Sequence, residues 1–596
     1  MHQLDRRQFL RFAGGAAAAA ALPLGCGSAP EPQSAASEKP NIVVIMADDM
    51  GFSDIGCYGG EIETPNIDAL AEGGLRFRQF YNTARCCPTR AALLTGLYQH
   101  QAGVGHMMSA YYKDGEVIPS YQGKLNRQCV TFGEALRPAG YTTLMSGKWH
   151  VTPVENTEDG EPDKSNWPRQ RGFDRFWGTI HGAGSFYNPV TLTDENTPIQ
   201  PESNDFYYTT AIAENAVRLI DESPRDKPFF LYMPFTSPHW PLHAPDEDIA
   251  HYKGKYEMGW DELRKQRRAR MIEMGVVKQE WDLTPRDEVV VSWEEAENKE
   301  WQSRRMEVYA AQITVMDRAI GQLVAKLKEM QVFDNTLIFF LADNGGCAEE
   351  LYARSGGLHI PKTTLDGHPV KLGNYPQEMP GQDDDYQSYG VPWANASNTP
   401  FRLYKHWVHE GGISSPLIVH WPKGVTVPGT WTDQPGHLID IMATSVDAAG
   451  AEYPSTYDGH QITPLEGESL QPIFSGQDRN GHPDGIFWEH EGNRAARVGK
   501  WKLVSKWSAN GIRGRPVDEP PDNQWELYDI DADRTEMHDL AAAMPEKAQE
   551  LAAMWQAWAD KAGVVEWRSW DGGGSTVVFR REELRSTTSL VRWSQD

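Results

Sequence analysis

Cysteine is scarce in this chain, with six in 596 residues. They stand at positions 26, 57, 86, 87, 129 and 347 with no regular spacing, which excludes the stapled framework of a small secreted domain. Positive charge is also in short supply. Lys and Arg total 57 against 83 Asp and Glu, a formal net charge of -26. Nucleic acid is therefore excluded as a partner, because its phosphates would be repelled. An anionic substrate would require a local cationic pocket inside an acidic whole. No apolar run is long enough for a transmembrane anchor. No internal repeat or long low-complexity tract follows the first forty residues, so the chain is not an array of repeats.

The N-terminus is not part of the fold. "DRRQFLRF" is a charged region, and "AGGAAAAAALPLGCGSAP" after it is a short apolar run ending in small residues, the pattern of an export signal. Arg6 and Arg7, followed by Phe9 and Leu10, resemble a twin-arginine signal, which exports folded proteins. "LPLGC" resembles a lipoprotein cleavage box, with Pro23 where leucine is usual, so membrane contact is expected only if Cys26 is lipidated. The expected residence is the periplasm or cell envelope. The reading divides the chain into signal and linker (1–38), a catalytic domain (39–477) and a C-terminal subdomain (478–596). Without Cys26 the cysteine count is odd, and Cys86 and Cys87 are adjacent, a pair that bonds only with strain.

What recurs is an apolar run of strand length that stops abruptly at polar residues. "NIVVIMADDMG" ends in Asp48 and Asp49, "YTTLMSGKWH" in Lys148 and His150, "FFLYMPFTSPHWP" at His239, and "TLIFFLADNGG" in Asp343 and Asn344. Helical stretches lie between them. The expected fold is α/β: a large mixed, mostly parallel sheet sandwiched by helices, plus a small C-terminal domain of antiparallel sheet and helix. Ligands bind beyond the carboxyl ends of such strands. Singly, "DD" and "DNGG" read as turns or caps and a histidine as a packed residue. Together, three carboxylates and an amide suit a hard cation, Ca²⁺ with Mg²⁺ as the alternative, and lack the nitrogen and sulfur ligands zinc prefers.

Cys86 precedes "PTRAALLTG", which reads as a helix start, where backbone N–H groups favour negative charge and acidify a thiol. A nucleophile beside a hard cation and Arg90 points to phosphoryl or sulfuryl transfer. Here the sequence resembles the sulfatase family of the alkaline-phosphatase-like fold. Cys86-x-Pro88-x-Arg90, "GYTTLMSGKWH", "SPHWP", "ADNGG" and "YKHWVHEGGISSPLIVHWP" match its blocks in order, over roughly Pro40 to Gly450.

The resemblance implies that a formylglycine-generating enzyme oxidises Cys86 to formylglycine, with Cys87 at a free position of the motif. A hydroxyl of the hydrated aldehyde would attack the sulfur of a sulfate ester, and the other would expel sulfate. Asp48, Asp49, Asp343 and Asn344 would hold one Ca²⁺. Arg90 would hold the hydrate, His150 would accept a proton, and Lys148, His239 and Lys405 would bind sulfate, with His239 donating to the leaving group. The implied activity is that of a sulfuric ester hydrolase of arylsulfatase type, acting on a small-molecule or polysaccharide sulfate. The nearer rival is a phosphodiesterase or phosphonate monoester hydrolase; the farther is a non-catalytic binding protein. Tyr389 and Trp393 are read as stacking platforms for a ring or as packing, and His490 in "WEHEGN" as reaching the active site or, the favoured reading, as structural.

Overall fold

The computed structural model describes residues 39–156, 161–353, 360–507 and 523–567. The export signal, the linker and Cys26 lie outside these. Continuous apolar runs fold as strands covered on both faces. In chain order they are β1 (Asn41–Ala47), β2 (Leu75–Phe77), β3 (Thr142–Lys148), β4 (Arg175–Thr179), β5 (Leu192–Asp194), β6 (Thr197–Pro198), β7 (Phe229–Pro234), β8 (Thr336–Ala342), β9 (Leu417–His420) and β10 (Thr430–Thr432). They form one ten-stranded sheet in the order β10-β2-β9-β8-β1-β7-β3-β4-β5-β6. The five central strands β8, β1, β7, β3 and β4 run parallel. β9 and β5 pair antiparallel at either side.

The main helices are α1 (Cys86–Thr95), α2 (Tyr208–Asp221), α3 (Lys299–Glu329) and α4 (Pro545–Ala562). Alternate residues of β1 face opposite layers. Val43 and Ile45 join α2 and α3 in one core, while Ile42, Val44 and Met46 join α1 in the other. The sheet is thus sandwiched by helices, as the sequence pattern predicts. Parallel register has one further consequence: Ala47 lies opposite Ala342, so the polar pairs that follow each strand emerge side by side.

A second sheet holds β11 (Ile486–His490), β12 (Asn493–Val498), β13 (Trp501–Ser505) and β14 (Trp525–Asp529), antiparallel in sequence order. α4 covers it through Leu551, packed on Leu503 and Leu527. The sequence pattern extends this helix back to Thr535, but it starts at Pro545. Proline fits the first helical position, where its missing N–H is not needed. Upstream, the Asp533 carboxylate accepts the Met537 and His538 N–H groups at 2.9 and 2.7 Å and holds a turn instead.

The two sheets belong to one compact unit that begins at Lys39. Lys502 of β13 sits 2.8 Å from both Glu410 and Glu536, and Arg534 lies 3.2 Å from Glu410. All four side chains are buried. The Trp488 indole donates to the Asn82 carbonyl at 2.7 Å, which ties the second sheet to the segment leading into α1.

Candidate active site

Four parallel strands deliver their polar ends to one edge of the large sheet. The Asp49 backbone N–H donates to Asp343 Oδ1 at 3.1 Å, and Asn344 Nδ2 donates to Asp49 Oδ1 at 2.6 Å. Lys148 Nζ lies 2.5 Å from Asp48 Oδ2. Arg90 Nη2 lies 2.9 Å from Asp343 Oδ2 and 3.5 Å from Asp48 Oδ1. On the far side of Asp49, Lys405 Nζ stands at 2.9 Å and His239 Nε2 at 3.3 Å. The sequence-predicted set Asp48, Asp49, Asp343, Asn344, Arg90, Lys148, His239 and Lys405 is therefore one connected, buried cluster.

The charges explain one another. Burial, and then Asp343, push the Asp48 carboxyl well above its ordinary range. Burial acts the same way on Asp49, but His239 and Lys405 outweigh it and hold that carboxyl down. Asp48 Oδ1 and Asn344 Oδ1 are buried with no hydrogen-bond partner among the described residues. An oxygen-only donor set with two unpaired oxygens fits a hard divalent cation.

Cys86 begins α1, with Arg85 as its N-cap and Pro88 in the first turn. Its Sγ stands where a formylglycine would carry its oxygens. A hydrogen bond from Cys87 draws the Cys86 thiol well below its ordinary pKa; burial opposes this, and Lys148 assists. Burial pushes the Cys87 thiol up. The Cys86 and Cys87 sulfurs and a His150 ring nitrogen lie within 4.8 Å of one another. All five cysteines among the described residues are free, as their spacing implies.

His150 is buried, and neither ring nitrogen has a hydrogen-bond partner among the described residues. Burial first, and Lys148 second, keep it neutral well below its ordinary pKa. Its ring faces His181 at 5.6 Å and touches the backbone of Gly182, where an added β carbon would lie 1.9 Å from the ring. Burial also lowers His239 to about 4, with Asp49 opposing and Lys405 assisting. Lys405 is held well above its ordinary value, because Asp49 outweighs the burial cost.

Sequence reasoning missed several neighbours. His181 and Gly182 follow β4 without a recognisable motif. Thr89, in the first turn of α1, donates its hydroxyl to the Asp343 carbonyl at 2.7 Å. Arg85 and His406 flank Cys86 and Lys405 in the chain, the only signal that could have flagged them. Two readings that the sequence leaves open can be compared with the structure. Tyr389 stacks on Tyr309 at 4.3 Å, and Trp393 packs edge-on to Trp260 at 5.4 Å, both buried. They are core residues and offer no face to a ligand. His490 is fully buried, but it stands beside Arg85 and His406 rather than in an unrelated part of the core.

Comparison with known proteins gives the family. The profile of the family described as Sulfatase matches residues 40–451. A profile described as N-sulphoglucosamine sulphohydrolase, C-terminal, matches 401–559, and a twin-arginine translocation signal matches 3–23. An uncharacterised sulfatase of Schizosaccharomyces pombe is 33% identical, over 89% of this chain and 96% of that protein. The arylsulfatase of Klebsiella aerogenes is 34% identical, over 74% of this chain and 93% of its own. The solved structure of Ps i-CgsB in complex with k-i-k-neocarrahexaose superimposes with a TM-score of 0.60 at 23% identity, covering 92% of this chain and 97% of that one, and shows the shared fold. The chain carries a signal for export across the cytoplasmic membrane.

Proposed function

This chain belongs to the sulfatase family and is a sulfuric ester hydrolase, and on that premise we propose that its chemistry runs at Cys86 after conversion to formylglycine. The observation that supports this is the meeting of Cys86, His150 and three buried cations with an oxygen-only quartet at one sheet edge. The hydrated aldehyde would supply the attacking hydroxyl, and a Ca²⁺ held by Asp48, Asp49, Asp343 and Asn344 would polarise the sulfate oxygens. Arg90 holds the nucleophile and balances Asp343. Lys148 and Lys405 bind the sulfate.

The proton roles follow from the environments. His150 is neutral with both ring nitrogens unpaired, so it is ready to accept a proton as sulfate departs. His239 is the proposed donor to the leaving oxygen, although in the free protein burial keeps it neutral down to about 4. The two facts are reconciled by the substrate. An anionic ester beside His239 offsets the repulsion from Lys405 and Lys148, so the imidazole takes up its proton as the ester binds. Lys405 stays cationic throughout. The substrate is an aryl or carbohydrate sulfate, and the expected residence is the periplasm.

The test is mass spectrometry of the peptide containing "CCPTR", from protein made together with a formylglycine-generating enzyme. Conversion is expected at Cys86 alone. Cys86→Ala abolishes turnover, whereas Cys87→Ala keeps most of it. Active enzyme converted at neither position refutes the mechanism, and faster hydrolysis of phosphate than sulfate esters refutes the substrate.

A further inference from the structure

A second polar cluster, which takes no part in the proposed chemistry, holds the chain neighbours of three reaction-site residues. Glu491 Oε1 accepts from Arg85 Nη1 at 3.3 Å and lies 3.1 Å from His106 Nε2, and Oε2 faces His406 Nδ1 at 2.9 Å. Glu349 Oε1 lies 3.2 Å from His406 Nε2, and its Oε2 accepts the Trp240 indole N–H at 2.9 Å. Arg85 precedes Cys86, His406 follows Lys405, and Trp240 follows His239. Arg85 is also the N-cap of α1, so its placement sets where the helix presents Cys86. Both carboxylates, Arg85, His106 and His406 are buried. A buried polar network whose members satisfy one another is rigid, and it fixes the backbone that carries it.

Glu491 comes from the second sheet. With Gly492 it forms the two-residue turn between β11 and β12, since His490 pairs with Asn493. φ is 52° at Glu491 and 79° at Gly492, the left-handed values that a tight hairpin turn takes at both positions. Asn, Asp and Gly suit the first of these, and a glutamate there is strained. Strain of this kind persists where the surrounding structure holds it, and it gathers at functional sites. The hairpin holds the His406 segment a second time, because Asn493 Nδ2 donates to the His406 carbonyl at 3.3 Å. His406 is itself left-handed at φ 84°, and its N–H donates to the Ala84 carbonyl at 2.8 Å. The hairpin turn, the segment entering α1 and the Lys405 segment therefore meet at one point.

We propose that Glu491 is a positioning residue: its carboxylate pins Arg85 and His406 to one another and so fixes the Cys86 nucleophile against the Lys405 ammonium. The proposal rests on the formylglycine reading of Cys86 and gives the second sheet a part in the reaction. Each pinned side chain is one residue from a reacting group, so a slip of the carboxylate passes to Cys86 and to Lys405 through a single peptide unit. Glu349 is a weaker hold on the same pair. It is 3.7 Å from Arg85, and it already carries the Trp240 indole.

The test uses Ca²⁺-loaded protein in which mass spectrometry shows Cys86 converted to the same extent as in the parent, with 4-nitrophenyl sulfate as substrate. Glu491→Gln should lower kcat by about tenfold or more with KM within about threefold, because a slip of about 1 Å at a reacting group costs on the order of 10²-fold. Leu551→Ala, which loosens α4 from the second sheet without touching this cluster, should lower the melting temperature and leave kcat at the parent's value. In protein already carrying Arg85→Gln and His406→Gln, adding Glu491→Gln should cost less than about threefold, since the groups it pins are gone. A kcat near the parent's in Glu491→Gln overturns the proposal, as does an equal fall in Leu551→Ala or a full extra penalty in the triple variant. If Glu491→Gln does not fold, the decision passes to Arg85→Gln and His406→Gln singly, and parental kcat in both overturns it. The reading beneath it fails separately. Turnover that survives Cys86→Ala removes the nucleophile, whereas loss of turnover in Cys86→Ala with parental kcat in Glu491→Gln sinks the positioning role alone.

Discussion

Gly182→Ala tests how tightly the histidine beside the nucleophile is held. A β carbon at this position would lie 1.9 Å from His150 Cε1 and 2.1 Å from both ring nitrogens. Ordinary contact begins near 3.4 Å, so the ring must retreat by about 1.5 Å. The backbone of Gly182 is not left-handed, so the substitution acts through this contact and not through strain. Misplacing a catalytic group by about 1 Å costs on the order of 10²-fold, and losing a general base outright costs about 10²–10⁴-fold. We expect kcat on 4-nitrophenyl sulfate to fall about 10²-fold or more, with a smaller change in KM. Mass spectrometry must show normal conversion of Cys86 in the variant. Adding His150→Ala should then cost little, because both changes remove the same function. Activity within threefold of the parent, or a full extra penalty from His150→Ala, refutes the reasoning.

Three other outcomes follow from the same geometry. Asp343→Asn removes a carboxylate that Asp49 and Arg90 both contact, so Ca²⁺ affinity of chelator-stripped protein should fall at least 10- to 100-fold by calorimetry; unchanged affinity would move the metal site elsewhere. His239→Ala should hurt esters with basic, sugar-like leaving groups far more than 4-nitrophenyl sulfate, by about 10²–10⁴-fold, and equal losses on both would reduce His239 to a sulfate ligand. Lys502→Met leaves Glu410 and Glu536 buried with one fewer cation, so denaturant unfolding should register a loss of about 3–5 kcal/mol, and a change under 1 kcal/mol would show that Arg534 suffices.

The part of the site carried by strand ends was legible because it is written locally. An apolar run that stops at "DD", "KWH" or "DNGG" states both where the strand ends and what it delivers. Parallel register then supplies the convergence, as Ala47 opposite Ala342 illustrates. The second cluster was not legible, because its members come from five segments with no shared pattern, and Glu491 reaches Arg85 only through a hairpin of the other sheet. The same limit left the aromatics open between stacking and packing. Tyr389 and Trp393 stand in a segment rich in polar residues and proline, which looks exposed, yet their helix turns inward onto α3. Helix length failed for a different reason: apolar spacing continued upstream of Pro545, but the Asp533 turn had already taken those backbone groups.

A chain with a net charge of -26 has to attract an anion. Asp48, Asp49 and Asp343 are matched by Arg90, Lys148 and Lys405, so the cluster alone is close to neutral and would hold a sulfate ester weakly. A divalent cation among the four oxygen ligands makes it doubly positive. The excess acidic residues elsewhere act through water and salt, where a Debye length of about 8 Å screens them. Charges inside the buried site are screened far less. The site's polarity is then decided by the ion and not by the composition, which is why metal removal should raise KM before it disturbs the fold. An unchanged KM with kcat alone reduced would show instead that the three cations bind the ester unaided.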